Sequence, residues 1–361
     1  MKILVGLSGG VDSSVVACVL KEQGHEVIGA TMSIWDKEKF LNITSSTEGC
    51  FSAHEEVDIK AAKSLCEKLD IPHYVVDCTK QYQQIVLENF KQEYMSGRTP
   101  NPCIICNSKI KFDALPLGAT AKGIEFDKFA TGHYAQISYN EQTKRYQLKR
   151  GVDDKKDQSY FIYRLNQEQL SKIMMPLGEL TKDEVRAMAK KYNLEVSDKK
   201  DSQDFYNGDI NDILQAKPKK GNFVDKNGKI LGMHNGIWNF TIGQRRGLGV
   251  SGADRPLYVI GLNKDKNEVV LGYVEDGFVS SITAKDISWL SCAPITQKTN
   301  IKVKVRSSQY PFDAEYLPID DKTATIIFKE TQTAIASGQS VVFYDDKDYI
   351  LGGGFIEVNK R

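Results

Sequence analysis

No apolar run in the 361-residue sequence approaches the roughly 20 residues needed to cross a bilayer, so a transmembrane helix is excluded. An excess of one charge sign is missing too. Forty-eight Lys and Arg stand against 47 Asp and Glu, a formal net charge of +1, so a nucleic-acid partner has to be held by local patches rather than by a global field. There is no internal repeat and no low-complexity tract. No apolar signal-peptide core or small-residue cleavage site follows Met1-Lys2-Ile3-Leu4-Val5-Gly6, from which a cytoplasmic protein is expected. Seven cysteines, an odd number without a secretion signal, argue against a disulfide framework. What is present, 41% hydrophobic and 26% charged residues, is ordinary globular composition in a chain long enough for two or three domains.

From residue 3 to about 200, apolar runs at Ile3–Leu7, Glu26–Trp35, His73–Cys78 and Asp127–Thr131 alternate with amphipathic stretches, the pattern of a parallel α/β sheet. Val57, Ala61, Ala62, Leu65, Cys66 and Leu69 recur at helical spacing until Pro72 stops the pattern. Near residue 208 closely spaced turn signals begin, among them Lys217-Pro218-Lys219-Lys220-Gly221, Asp225-Lys226-Asn227-Gly228 and Asn235-Gly236, which predict a small β-rich unit. Beyond about 280 the alternation in Ile301–Arg306, Thr323–Phe328 and Ser340–Tyr344 predicts a compact antiparallel barrel or sandwich. The expected domains are 1–207, 208–279 and 280–361.

The first apolar run leads directly into Ser8-Gly9-Gly10-Val11-Asp12-Ser13-Ser14 and then a helix carrying Val15, Val16, Val19 and Leu20. A loop at a helix N-terminus offers free backbone N–H groups to an anion, and glycines let the backbone approach it. The serine hydroxyls add hydrogen bonds, and a carboxylate beside phosphates, Asp12, makes chemical sense as a partner for bound Mg²⁺. The lysine of a Walker A loop is missing, so γ-phosphate transfer is not the natural inference. The bland alternative is a glycine-rich turn with a serine cap. The heptapeptide resembles the loop of the PP-loop ATP pyrophosphatases, which holds pyrophosphate while AMP passes to a substrate oxygen. Met32 resembles that family's adenine contact, although a methionine at a strand end is as often simple packing.

A second motif runs Gly97-Arg98-Thr99-Pro100-Asn101-Pro102-Cys103-Ile104-Ile105-Cys106-Asn107-Ser108-Lys109-Ile110-Lys111-Phe112. Two prolines stiffen its approach, and Cys103 and Cys106 share a face if a helix starts there. Close to Arg98, Lys109 and Lys111 and near a helix N-terminus, both thiols are expected to have depressed pKa values and to serve as nucleophiles or metal ligands. The alternative is an inert buried pair.

Together with Ala130-Thr131-Gly132-His133-Tyr134, Lys155-Lys156-Asp157-Gln158-Ser159-Tyr160-Phe161, Phe240-Thr241-Ile242-Gly243-Gln244-Arg245-Arg246-Gly247-Leu248-Gly249, Ala336-Ser337-Gly338-Gln339-Ser340 and Leu351-Gly352-Gly353-Gly354, these segments resemble the tRNA-specific 2-thiouridylases over essentially the whole chain. The resemblance implies an N-terminal PP-loop (adenine nucleotide α-hydrolase-like) domain, a small central domain and a C-terminal β-barrel that help to grip tRNA. It implies replacement of the C2 oxygen of the wobble uridine by sulfur, using ATP and Mg²⁺, with a sulfur donor that is a cysteine desulfurase, a sulfur-relay protein or hydrosulfide. Gly6, Leu7, Ser8, Gly9, Gly10, Val11, Asp12, Ser13, Met32 and Gly132 match ATP-contacting positions. Asn101, Pro102 and Cys103 match the loop that meets the target base. His133, Lys156, Asp157, Gln158, Arg306, Ser307 and Gln339 match tRNA-contacting positions. A uridine must leave its stack before a pocket can act on it, and a rigid Pro-bounded loop suits that. Lys217, Lys219, Lys220, Arg245 and Arg246 are either phosphate contacts or ordinary solvated charges.

The sequence departs from that family's pattern at its thiols. Cys106 matches the cysteine of N-P-D-x-x-C, whose aspartate is Cys103 here. The second cysteine, expected in K-D-S-x-x-x-C, is Tyr206 within Lys200-Asp201-Ser202-Gln203-Asp204-Phe205-Tyr206. A phenol holds no persulfide. Three explanations stand: Cys103 and Cys106 act as a local exchange pair with Cys106 the nucleophile; the two thiols and a third ligand, Cys50 being a candidate, hold a 4Fe-4S cluster; or the chain binds tRNA and ATP without thiolating. A zinc site is disfavoured, because only one C-x-x-C pair is present and His25, His54, His73, His133 and His234 are scattered. Cys18 and Cys66 are expected in the core. A rival reading is a PP-loop ligase that adenylates another substrate, although no glutaminase segment is visible and the C-x-x-C would be unexplained.

Overall fold

The computed structural model describes residues 1–40, 49–197, 199 and 205–358. The first apolar run becomes β1 (Lys2–Gly6), with β2 (Glu26–Ser33), β3 (His73–Asp77), β4 (Lys128–Ala130) and β7 (Ile173–Met174) beside it in a parallel sheet of order β3-β2-β1-β4-β7. Leu4 points into one apolar cluster and Ile3 and Val5 into another, all three fully buried. Burial on both faces is why β1 reads as a continuous apolar run rather than an alternating one. Helix α1 (Val11–Glu22) and helix α2 (Glu55–Lys68) cover the second of these faces, with Cys18 and Cys66 in that core as expected.

The strand predicted to reach Trp35 stops at Ser33. The Glu55 carboxylate at the start of α2 accepts from the backbone N–H of Ile34 and Trp35, at 2.6 and 3.0 Å, and the chain leaves the sheet. Between β4 and β7 lies an antiparallel hairpin, β5 (Ala135–Asn140) and β6 (Arg145–Arg150), which a purely alternating reading does not contain. The strand order reverses direction around β1 and β4, so the carboxyl end of β1 opens on a crevice of the kind where open α/β sheets bind ligands.

The turn-rich stretch forms a four-stranded sheet of order β10-β11-β8-β9 from β8 (Gly221–Asp225), β9 (Ile230–His234), β10 (Tyr258–Asn263) and β11 (Glu268–Gly272). The alternating stretch closes into a barrel, β12-β15-β14-β13-β16-β17, built from β12 (Val279–Trp289), β13 (Thr299–Lys304), β14 (Phe312–Asp320), β15 (Thr323–Gln332), β16 (Ser340–Tyr344) and β17 (Ile350–Glu357). The barrel is seated on the N-terminal part: the Tyr160 hydroxyl donates to the Ser340 carbonyl at 2.8 Å, and Val342, Tyr344 and Ile350 belong to the same apolar cluster as Leu4.

Candidate active site

At the carboxyl end of β1 the chain turns through Leu7–Gly10 and enters α1 without a side-chain N-cap, leaving the helix N-terminus open to an anion. Gly9 has φ +66°, and a Cβ there would meet the Asp58 carbonyl oxygen at 2.5 Å. Gly132, after β4, approaches as closely from the other side, since a Cβ there would lie 2.9 Å from both the Asp12 Cβ and the Ser13 nitrogen. Ser13 Oγ accepts from the Ser8 N–H at 3.1 Å and holds the loop closed on itself. These contacts shape one cavity of about 540 Å³ lined by Gly6, Leu7, Ser8, Gly10, Val11, Asp12, Ser13, Met32 and Gly132, which gathers most of the residues expected to meet ATP.

Asp12 is held from two sides. Lys182 Nζ donates to its two oxygens at 2.7 and 2.9 Å, and the Tyr134 hydroxyl donates at 2.8 Å. Lys182 is 6% exposed, so its side chain is held in place beside the loop. Lys199 Nζ reaches the Gly9 carbonyl at 3.0 Å and Asp58 at 2.6 Å. Neither lysine is marked by any local pattern. Lys182 opens a helix with an ordinary Thr181/Glu184 capping box, and only the fold brings it 170 positions back to Asp12.

The second motif is a loop pinned to the barrel. Thr99 N–H donates to the Ser337 carbonyl at 2.8 Å, and Gln339 Nε2 donates to the Thr99 and Pro100 carbonyls at 2.9 and 3.0 Å. Arg98 is clamped by Glu93 and Glu357. Asn101 is then the N-cap and Pro102 the first residue of a short helix, Pro102–Cys106, which continues as a π-helical segment, Asn107–Ala114. The thiols on it correct one expectation. Cys103 is half-buried, but Cys106 is 7% exposed, and burial pushes its thiol up to about 12; Lys111 opposes that shift without overcoming it. A short helix N-terminus and nearby cations do not depress a pKa when the sulfur is desolvated. Tyr82, buried and stacked on Phe51 at 5.4 Å, lies within the electrostatic reach of Cys50, Cys103 and Cys106.

The expected tRNA-contacting residues divide. His133, Lys156, Asp157, Gln158 and Ser307 line the same cavity as the PP-loop. The His133 ring bonds Thr131 at 2.8 Å, and burial with Lys111 nearby drives its pKa down to about 3, so the imidazole is neutral. Gln158 accepts from the Tyr134 N–H at 3.1 Å. Asp157 turns its carboxylate inward: it accepts from Arg150 at 3.2 Å, Lys304 at 3.3 Å and the backbone N–H of Gly151 and Ser159, and its side chain is 1% exposed. Its carboxylate thus ties the hairpin to the barrel. Arg306 donates to the Thr333 and Ala334 carbonyls, and Gln339 is the loop anchor already described. Lys217, Lys219, Lys220, Arg245 and Arg246 are exposed. Of the KDS-like segment, residues 200–204 lie outside the described residues; Tyr206 is described, and its hydroxyl donates to Asp212 at 2.6 Å.

Three family models match along the chain: a tRNA methyl transferase HUP domain over residues 1–206, a tRNA methyl transferase PRC-barrel domain over 209–273, and an aminomethyltransferase β-barrel domain over 279–356. Proteins named tRNA-specific 2-thiouridylase MnmA are similar throughout. That of Endomicrobium trichonymphae is 50% identical, with 99% of each chain covered. That of Clostridium botulinum (strain Eklund 17B / Type B) is 47% identical over 99% of this chain and 98% of its own. The chain belongs to the tRNA-specific 2-thiouridylase family. A third member, from Acetivibrio thermocellus, is 43% identical with 99% of both chains covered. Within the described residues of this family member, no group of three or more His, Cys, Asp or Glu side chains is arranged to hold a metal ion. No described helix is long and apolar enough to cross a membrane.

Proposed function

We infer that the chain is a tRNA uridine 2-sulfurtransferase that uses ATP to replace the C2 oxygen of the wobble uridine by sulfur, organised as domains 1–207, 208–279 and 280–361 and acting in the cytoplasm. The observation that carries this reading is a single cavity lined by a helix N-terminus without a side-chain cap, by Asp12, whose carboxylate Lys182 holds, and by the cations Lys111 and Lys156. Phosphates suit the first, a polyanionic substrate the last.

A carbonyl oxygen is a poor leaving group. Attack of the uridine O2 on the α-phosphorus makes C2–O a phosphoester and releases pyrophosphate; sulfur then adds to C2, and AMP departs with the former carbonyl oxygen. Gly6, Leu7, Ser8, Gly9, Gly10, Val11, Asp12 and Ser13 receive the phosphates, through backbone N–H groups and the Ser8 and Ser13 hydroxyls, with Met32 and Gly132 toward the adenosine. Lys182 neutralises Asp12, so the loop presents little negative charge to the incoming triphosphate. Mg²⁺ takes one or two carboxylates plus phosphate and water oxygens, and Asp12 is the carboxylate here that fits that role. Among the described residues the donor set does not support a 4Fe-4S cluster. Asn101, Pro102 and Cys103 form the base-facing loop, and His133, Lys156, Gln158, Arg306, Ser307 and Gln339 the tRNA-facing surroundings. Sulfur is handled at Cys103 and Cys106, with Cys106 as nucleophile, supplied by a cysteine desulfurase, a sulfur-relay protein or hydrosulfide.

The test is incubation of an unmodified tRNA transcript with ATP, Mg²⁺ and sulfide or a persulfide, followed by nucleoside mass spectrometry. A 2-thiouridine product dependent on ATP is expected. Binding of tRNA and ATP with no product would identify a non-thiolating paralogue, and ATP cleavage driven by a small carboxylate would identify a ligase.

A further inference from the structure

The family's thiol chemistry needs two sulfurs that meet, and the position where the second is expected holds Tyr206. The tyrosine is no substitute: its hydroxyl is committed to Asp212 at 2.6 Å and its ring packs at the edge of an aromatic cluster. The chain that runs beside it carries a sulfur instead. Phe51 N–H donates to the Phe205 carbonyl at 3.0 Å, and the Phe51 and Phe205 rings stack with centroids 5.8 Å apart and planes 11° from parallel. Phe51 also lies 6.4 Å from the Tyr206 ring. Cys50, the residue before Phe51, is therefore fixed alongside the segment that has lost its thiol.

Its surroundings separate it from the remaining cysteines. Cys50 is exposed and lines the PP-loop cavity together with Lys111, whereas Cys18, Cys66, Cys78 and Cys106 are buried and Cys292 belongs to the barrel side. Lys111, which lines that cavity with Cys50, lies on the helical segment Asn107–Ala114 that directly continues the one carrying Cys103 and Cys106, and all three sulfurs act electrostatically on its ammonium.

We propose that Cys50 is the second sulfur-handling thiol of this chain, relocated from the position of Tyr206 to the neighbouring strand of backbone. The assignment rests on the thiouridylase reading. A donor persulfide passes its sulfane sulfur to the Cys50 thiolate, leaving the donor as a thiol and Cys50 as a persulfide. The terminal sulfur attacks C2 of the adenylated uridine, and AMP leaves with the bonding pair. A thiolate of the Cys103/Cys106 pair then attacks the Cys50 sulfur, the S–S bond to uridine breaks, and the pair of electrons stays on the sulfur that becomes C2=S. The two protein thiols are oxidised to a disulfide, which an external thiol reductant returns to the starting state.

The experiment is one turnover of the full chain with tRNA transcript, ATP, Mg²⁺ and a small-molecule persulfide, without reductant, read by nucleoside mass spectrometry and by non-reducing peptide mapping after alkylation. The expected map joins the Cys50 peptide to the peptide that contains Cys103 and Cys106. Cys50→Ser is expected to lower thiolation roughly 100-fold while pyrophosphate release with tRNA persists, which also reports that the variant is folded. Cys50→Ser combined with Tyr206→Cys is expected to recover thiolation, and Cys292→Ser to match wild type. A disulfide between Cys103 and Cys106 with Cys50 alkylated as a free thiol, or undiminished thiolation by Cys50→Ser, would overturn the proposal and leave the enzyme assignment standing. Failure of the wild type to thiolate while it binds tRNA and ATP would overturn both.

Discussion

The phosphate loop and the thiol-bearing loop, here the phosphate end and the thiol end of the site, are built on different terms. The phosphate end is finished: Gly9 and Gly132 admit backbone where no side chain fits, Ser13 closes the loop, and Asp12 is locked by Lys182 and Tyr134. The thiol end is not. The nucleophile expected there, Cys106, is desolvated and protonated, and the loop that carries it is fastened to the barrel by Gln339 and Ser337. Preorganised dipoles cost no reorganisation during reaction, which suits the charge on a leaving pyrophosphate. A buried thiol is the reverse, inert until its surroundings change, which protects a reactive sulfur between turnovers. Adenylation and sulfur transfer should thus respond differently to mutation.

The largest separation is expected from Asp12→Ala. Removing this carboxylate deletes adenylation and breaks the ion pair that Asp12 makes with the buried Lys182 ammonium, at a cost of about 3 kcal/mol in stability. Pyrophosphate release and a denaturant melt measure the two effects, and a variant with normal melt and normal release would break the idea of a locked phosphate end. Next is Cys106→Ser, expected to abolish thiolation while ATP and tRNA binding remain. In the free wild type, a thiol pushed up to about 12 is almost wholly protonated at pH 8. Alkylation of Cys106 should therefore climb about tenfold per pH unit from 8 to 11 and be faster at fixed pH when tRNA is bound. Rapid alkylation at pH 7 without tRNA would show the thiol end to be as finished as the other.

How much of this contrast was legible in the sequence depends on whether the signal was local. The PP-loop was legible because strand, glycines, serines and helix are consecutive, and the parallel sheet and barrel because burial on two faces or one leaves different periodicities. Lys182 was not, since its role exists only through a contact 170 residues away. The pKa of Cys106 was misjudged for a related reason: neighbouring lysines are visible in sequence, whereas the depth of Ile104, Ile110 and Tyr82 around the sulfur is a tertiary property. Asp157 matched a tRNA-contacting position by pattern, yet its charge is spent on Arg150 and Lys304.

That burial gives the third prediction. Asp157→Ala takes away the carboxylate paired with the buried Lys304, while Arg150 keeps Asp154 and Asp348, and is expected to cost about 3 kcal/mol in a denaturant melt, with tRNA affinity reduced only as far as folded protein is lost. A normal melt with specific loss of tRNA binding would restore Asp157 to the tRNA surface. Gln339→Ala removes two hydrogen bonds between barrel and Pro-loop, at about 1 kcal/mol each. Thiolation should fall about tenfold while ATP-dependent chemistry at the phosphate end changes little, and an equal loss in both would mean the ends are not separable.

The smallest effect concerns His133, which lines the cavity, bonded to Thr131 and packed against Phe112 with ring centroids 5.2 Å apart. Its pKa falls from 6.5 to about 3 because burial and Lys111 both disfavour the imidazolium. An unfolded chain would protonate this ring below pH 6.5 and the native one would not, so the unfolded state binds more protons in that window. The stabilisation is complete above pH 6.5 and is lost as pH falls toward 3. A His133→Phe variant, which cannot take up that proton in either state, should lose less stability than wild type between pH 6.5 and 4.5, by roughly 1 kcal/mol or more per pH unit in the difference between their melts. Parallel curves would mean that the ring is protonated in the native protein, and a positive charge would then stand near Lys111 in the cavity that the phosphate loop lines.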